Sequence, residues 1–105
     1  MPINIGMSSI CRNKDLGRTG HGCTGVIGVK ATARSVFVNG IPVARLGDST
    51  FPHLIRRGLL CVGHIGKVNR ASNSVFAEGI GVARVGDSYD RGAMIQGSEN
   101  VFAGG

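Results

Sequence analysis

Tryptophan is absent from this 105-residue chain, and one Tyr and four Phe are its only aromatics. So few large side chains make for a thin core, and stacking platforms for single-stranded nucleic acid are scarce. Acidic residues are also few, six against twelve Lys and Arg, which leaves a formal charge of +6 and a pI near 10.1. That balance favours anionic partners such as nucleic acid, lipid headgroups or an acidic protein face, without choosing among them. No apolar run approaches the ~18 residues of a membrane-spanning helix, and the start, from Met1 to Lys14, has neither a basic n-region nor a long apolar h-region. The expectation is a soluble protein that carries no export signal of its own. Three Cys, an odd number, cannot build a complete disulfide framework. Beside three His in a chain without a leader, they point toward metal chemistry.

Glycine is what the chain has in excess, 18 of 105 residues, which predicts many turns and argues against a helical bundle. With 42% hydrophobic and 17% charged residues the chain is too apolar to remain disordered. Its length suits one domain over residues 1–105, since two independent cores need more chain.

Within that length the sequence repeats itself. Ser35 to Ser49 (Ser-Val-Phe-Val-Asn-Gly-Ile-Pro-Val-Ala-Arg-Leu-Gly-Asp-Ser) recurs as Ser74 to Ser88, with eleven of fifteen positions identical. Short runs of Val, Ile and Phe flank Asn39-Gly40 and Glu78-Gly79, where Gly supplies positive φ, so each copy is expected to be a β-hairpin. A third start, Asn100-Val101-Phe102-Ala103-Gly104-Gly105, runs out where its second strand should begin. Pro2 to Ser8 resembles Pro42 to Ser49, one residue shorter and with Met7 where Asp would stand, so the two termini are expected to build the third unit together. Three hairpins related by approximate threefold symmetry could close into a compact prism, whereas single ones this short are unstable. The fold class expected is all-β.

All His and Cys fall between these hairpins. The first connector, 9–34, holds Cys11, His21 and Cys23; the second, 50–73, holds His53, Cys61 and His64; the third, 89–99, holds neither type. The connectors are expected to lack secondary structure, so a metal tying the first to the second would replace packing they cannot supply. Cys61-Val62-Gly63-His64 has the C-x₂-H spacing at which a tight turn presents two ligands to one ion. The expected set is His21, His53, His64 and Cys61, a closed tetrahedral site for structural zinc, with Cys23 the other candidate thiolate and Cys11 packed or free. Iron suits the same N and S donors. Taken singly, each of these residues is more often a solvated loop histidine or a small buried hydrophobe; their confinement to two connectors is what favours the metal.

Order and spacing together resemble the PAAR-repeat proteins, small tips of contractile injection spikes. The resemblance rests on Thr19-Gly20-His21-Gly22-Cys23, on Val36 to Asp48 and its copy ending at Asp87, and on Ile95 to Phe102, and it covers nearly the whole chain. The name describes Pro-Ala-Ala-Arg; here the motif stands as Pro42-Val43-Ala44-Arg45 and Gly81-Val82-Ala83-Arg84, with the first position lost in the second copy. Met7 in place of Asp, and Arg91-Gly92-Ala93 where relatives often carry Cys-Gly-Ala, are further departures. The resemblance implies a β-rich cone, its apex stapled by zinc on His21, His53, His64 and Cys61. Its base would cap a trimeric β-helical spike protein, one monomeric tip per trimer, as three similar edges in one chain allow. The implied function is mechanical: sharpening the spike that breaches a target cell envelope. The implied place is the tip of a phage virion tail baseplate or, alternatively, the bacterial cytoplasm before delivery by type VI secretion.

Other functions fit less well. A zinc hydrolase needs an open coordination position and a nearby base, which four protein ligands deny, so no enzymatic activity is expected. No specific nucleic acid is expected either, because the basic residues are dispersed apart from Arg12-Lys14-Arg18 and Arg56-Arg57; a basic, zinc-stabilised module binding nucleic acid or a membrane surface is the alternative. Arg45 and Arg84, each three residues before an Asp, are expected to ion-pair within their own hairpins.

Overall fold

The structure, a computed structural model, describes residues 7–105. Those residues form short strands and no helix: β1 (Ser8–Ser9), β2 (Leu16–Arg18), β3 (Val26–Lys30), β4 (Phe37–Val38), β5 (Ile41–Pro42), β6 (Ser49–Thr50), β7 (His53–Arg57), β8 (Leu60–His64), β9 (Phe76–Ala77), β10 (Ile80–Gly81), β11 (Ser88–Tyr89), β12 (Gly92–Ala93) and β13 (Phe102–Ala103). The all-β class expected from glycine and turn content is what the chain adopts.

Turn chemistry makes the repeated hairpins. Asn39 and Gly40 have φ of 55° and 75°, and Glu78 and Gly79 have 53° and 81°, so both turns are left-handed at both central residues and match the natural twist of the flanking strands. β4 pairs with β5 and β9 with β10 in one register, Val38↔Ile41 and Phe37↔Pro42 against Ala77↔Ile80 and Phe76↔Gly81. The termini supply the third pair in that same register, Ala103↔Ser8 and Phe102↔Ser9.

That register corrects the expected third copy. Ser8 to Asp15 stands where Ile41 to Asp48 and Ile80 to Asp87 stand, seven residues later than the Pro2-to-Ser8 match, whose residues 2–6 lie outside the described ones. What hides the copy is Lys14, which adopts φ 71° at the position where Gly47 and Gly86 adopt 85° and 94°. Arg12 and Asp15 keep the spacing of Arg45 with Asp48 and of Arg84 with Asp87.

The three copies close on one another. Cys11 N donates to Ala83 O at 2.9 Å, Ala83 N to Ala44 O at 2.8 Å, and Ala44 N to Cys11 O at 2.9 Å, a complete cycle of backbone hydrogen bonds. These three residues are wholly buried, and only small side chains fit where three strands meet around an axis. On one side of the cycle, Ile10, Val43 and Val82 pack with Val38, Ala77 and Ala103. On the other, Val29, Val68, Met94 and Tyr89 form the second half of the core.

A closed ring of extended segments encircles that second half. β2 pairs with β3, β3 with β6, Ser49 with Lys67, Val68 with Tyr89, β11 with β12, and Met94 returns to Gly17 on β2. Closure leaves the ring no free edge. The connectors therefore carry regular strands, contrary to expectation, and the longest hairpin, β7–β8, lies within the second connector.

The arginines also follow the cycle. Arg12 reaches the Asn39 side chain at 3.2 Å, Arg45 reaches Glu78 at 2.9 Å and Arg84 reaches Gly104 O at 2.9 Å, so each guanidinium grips the hairpin turn of the next copy. Arg84 and Arg12 also pair with their own Asp87 and Asp15 through Nε–Oδ2 contacts of 3.0 and 2.9 Å. Arg45 does not pair through its side chain with Asp48, because Thr32 donates to that carboxylate and Glu78 draws the guanidinium across. The expectation of a pair within the hairpin holds for Arg84 and fails for Arg45.

Candidate metal centre

Chain segments leaving the ring at one end carry the chemistry. His21 follows β2, His53 opens β7 three residues beyond β6, and His64 closes β8 directly opposite His53 in the hairpin register. Asp90 begins the turn between β11 and β12, with φ 56°. The segment after β2, the β7–β8 hairpin and the β11–β12 turn thereby deliver three imidazoles and a carboxylate whose ligand atoms all lie within 4.8 Å of one another.

The donors converge. Nε2 of His21 and Nε2 of His53 each lie 2.9 Å from Asp90 Oδ2, Nε2 of His64 lies 3.0 Å from Oδ1, and the first two nitrogens are 3.1 Å apart. The His21, His53 and Asp90 side chains are 4%, 1% and 3% exposed, and His64 is the open side at 20%.

Hydrogen bonding behind the rings decides what the cluster can hold. Nδ1 of His53 sits 2.9 Å from Phe51 O, and Nδ1 of His21 sits 3.0 Å from Gly22 O. A carbonyl oxygen only accepts, so both Nδ1 atoms carry hydrogen, and in the neutral imidazoles the Nε2 lone pairs then point inward. A carboxylate likewise offers only lone pairs. Three acceptors crowded to about 3 Å in a buried pocket require positive charge among them, either protons or a cation. Burial pushes the Asp90 carboxyl up, but the three facing imidazoles outweigh it and hold the group below its ordinary range. Carbonyl oxygens orienting ligating imidazoles from behind are the usual outer support of a metal site. The His₃Asp group, with one ligand atom from each of four side chains, can hold a metal ion.

No protein-family model matches the chain, and none of the curated proteins does.

Of the expected ligands, the structure brings together His21, His53 and His64 and leaves Cys61 out. Cys61 is bonded to Cys23, with Cα atoms 6.0 Å apart and a sequence separation of 38. The physical reason is strand geometry. Cys61 and His64 lie on one extended strand at an odd spacing, so their side chains leave opposite faces; the C-x₂-H grip needs a turn that β8 does not make. An odd cysteine count excludes a full framework but permits one bridge and one free thiol. Cys11 is that thiol, fully buried beside the backbone cycle. Burial first, and then the negative charges of Asp15 and Asp87, push its pKa up, which keeps it inert.

Asp90 was missed because it lies in the one connector without His or Cys. The available signal was a carboxylate placed just after the repeated Gly-Asp-Ser, in a connector with little other acid. Gly66 completes the site by close approach: a Cβ there would lie 2.5 Å from Asp90 Cγ, so only glycine lets the carboxylate sit under the histidines.

Proposed function

We propose that this chain is a metal-stiffened tip for a contractile injection spike, capping the end of a trimeric β-helical protein as one copy per trimer. The observation that carries this is the closed Cys11–Ala83–Ala44 hydrogen-bond cycle, through which a single chain presents three equivalent hairpins. A trimer end offers three equal edges, and a monomer matches them only by repeating itself about an axis. Phe37, Phe76 and Phe102 occupy equivalent positions in the three hairpins and are 54%, 58% and 40% exposed. Three aromatic rings left in solvent at symmetric positions are a natural seat for a trigonal partner.

We further propose that the ion is zinc in a structural role. Three imidazoles and one carboxylate are borderline-soft and hard donors that suit it, and four protein ligands leave no position for a substrate. The ion would tie together β7–β8, the segment after β2 and the β11–β12 turn, which meet only at this end of the fold. Stiffness here serves an object that must transmit force; no bond-making chemistry is asked of it.

Co-purification with a trimeric spike fragment tests the assignment, with one chain per three spike chains expected. A complex of equal numbers, or none, would overturn it. Elemental analysis should give about one zinc per chain, and Asp90→Ala should weaken binding at least tenfold, since outer-support changes alone reach that size. Full zinc retention in that variant would remove Asp90 from the ligand set.

A further inference from the structure

The β7–β8 hairpin ends in six consecutive exposed residues, Arg56-Arg57-Gly58-Leu59-Leu60-Cys61. Leu59 is 96% exposed and Leu60 68%, the two most exposed large apolar side chains among the described residues. A protein normally hides a leucine pair at a tight turn or replaces it with polar residues, since nothing in a hairpin turn requires leucine. Gly58, with φ 62°, satisfies the backbone alone, and the turn type leaves the next position open to any residue.

Charge around the leucines has one sign. Arg56 and Arg57 precede them with only Gly58 between, and from Ser49 to Ala77 the sequence has no Asp or Glu, while Lys67 and Arg70 add further positive charge. The end is also held rigidly. Five residue pairs zip β7 to β8, the last being Arg57↔Leu60, and the Cys23–Cys61 bridge fixes the hairpin one pair below it. An apolar point with a cationic collar on a stiff support matches one chemistry closely: a bilayer surface with anionic headgroups, leucines entering the acyl boundary and guanidiniums bound to phosphates. Nucleic acid would use the arginines but leave the leucines in water, and no Phe, Tyr or Trp lies between Pro52 and Val75 to stack on a base.

Building on the injection-tip assignment, we infer that the Leu59-Leu60 turn is the surface that first enters the target membrane, and that Arg56 and Arg57 select anionic lipid. Binding should be reversible and interfacial, because two leucines anchor far more weakly than a spanning segment.

The test is co-sedimentation of the full chain with vesicles of phosphatidylcholine alone or mixed with phosphatidylglycerol. The parent should partition onto the anionic vesicles, and Leu59→Ser/Leu60→Ser should lower that partitioning about tenfold or more, as expected for apolar area kept in water. Arg56→Gln/Arg57→Gln should erase the difference between the two vesicle types. All four side chains are exposed, so the variants should melt with the parent. Because the chain has no tryptophan, Leu59→Trp gives a single fluorescent reporter. Its emission should shift to the blue on anionic vesicles and be quenched by brominated acyl chains. Equal sedimentation of the parent and the leucine variant would overturn the inference, as would an unshifted emission from the Leu59→Trp reporter or binding to DNA that competes the vesicles away. Loss of spike binding with vesicle binding intact would sink the proposed function and leave this surface standing; the converse would sink only the inference.

Discussion

Replacing both bridged cysteines, Cys23→Ser/Cys61→Ser, should remove most of what holds the metal-bearing segments together. The bridge closes a loop with a sequence separation of 38, and the chain-entropy relation for a loop of that size gives about 13 cal/mol/K, or about 4 kcal/mol at 25 °C. Both residues are exposed, so serine leaves no cavity to add to this figure. Two hydrogen bonds would still register the segments, Thr24 N to Leu54 O and Leu54 N to Thr24 Oγ1, each 3.0 Å. Set against the ~5–15 kcal/mol typical of a domain, the loss leaves a folded but weakened protein. Calorimetry in chelator should show a melting temperature about 15–30 °C lower than the parent's, using ~4–8 °C per kcal/mol for a chain near this length. Zinc should raise the variant's melting temperature, because its ligands are intact; an ion at 100 times its Kd contributes about 2.7 kcal/mol. Thiol titration provides the chemical control, with no reactive thiol in the native parent, one after denaturation and three after reduction as well. A variant that melts with the parent in chelator would refute the entropic clamp. One that no longer responds to zinc would refute the exclusion of Cys61 from the metal.

Three further outcomes follow from the geometry. Gly66→Ala should cost about 1–3 kcal/mol in urea unfolding and also reduce zinc stoichiometry, because the new methyl occupies the place of Asp90. Lys14→Gly should stabilise the protein by roughly 1 kcal/mol, since Lys14 holds φ 71° where its two counterparts are glycine; a destabilised variant would contradict the third copy's register. Glu78 accepts hydrogen bonds from the Ser35 hydroxyl and from the Arg34 and Ser35 backbone, and these hold its carboxyl below its ordinary range. A depressed folded-state pKa contributes stability that is fully present above the unfolded value and lost as pH falls through the folded one, so Glu78→Gln should lower stability at neutral pH, flatten the acid limb of a stability-against-pH curve and converge with the parent in acid.

The sequence by itself determined the features whose causes are local. Gly40 and Gly79 favour left-handed turns between short apolar runs, so two hairpins and the all-β class were legible from local preference. Identical neighbours also marked the two intact copies, and three of the four clustered ligands could be named because histidine is rare and reactive. The remainder depended on which distant segments meet. Nothing near Lys14 reveals that it takes a glycine's conformation; that follows from its backbone N–H bonding to Val29 O, as those of Gly47 and Gly86 bond to Val68 O and Met94 O. Whether a cysteine faces a metal or another cysteine depends on strand parity, and β8 turns Cys61 away from His64. Asp90 became a ligand candidate, and Glu78 the partner of Arg45, only when the three copies closed into a ring, because carboxylates are too common in sequences for spacing alone to single one out.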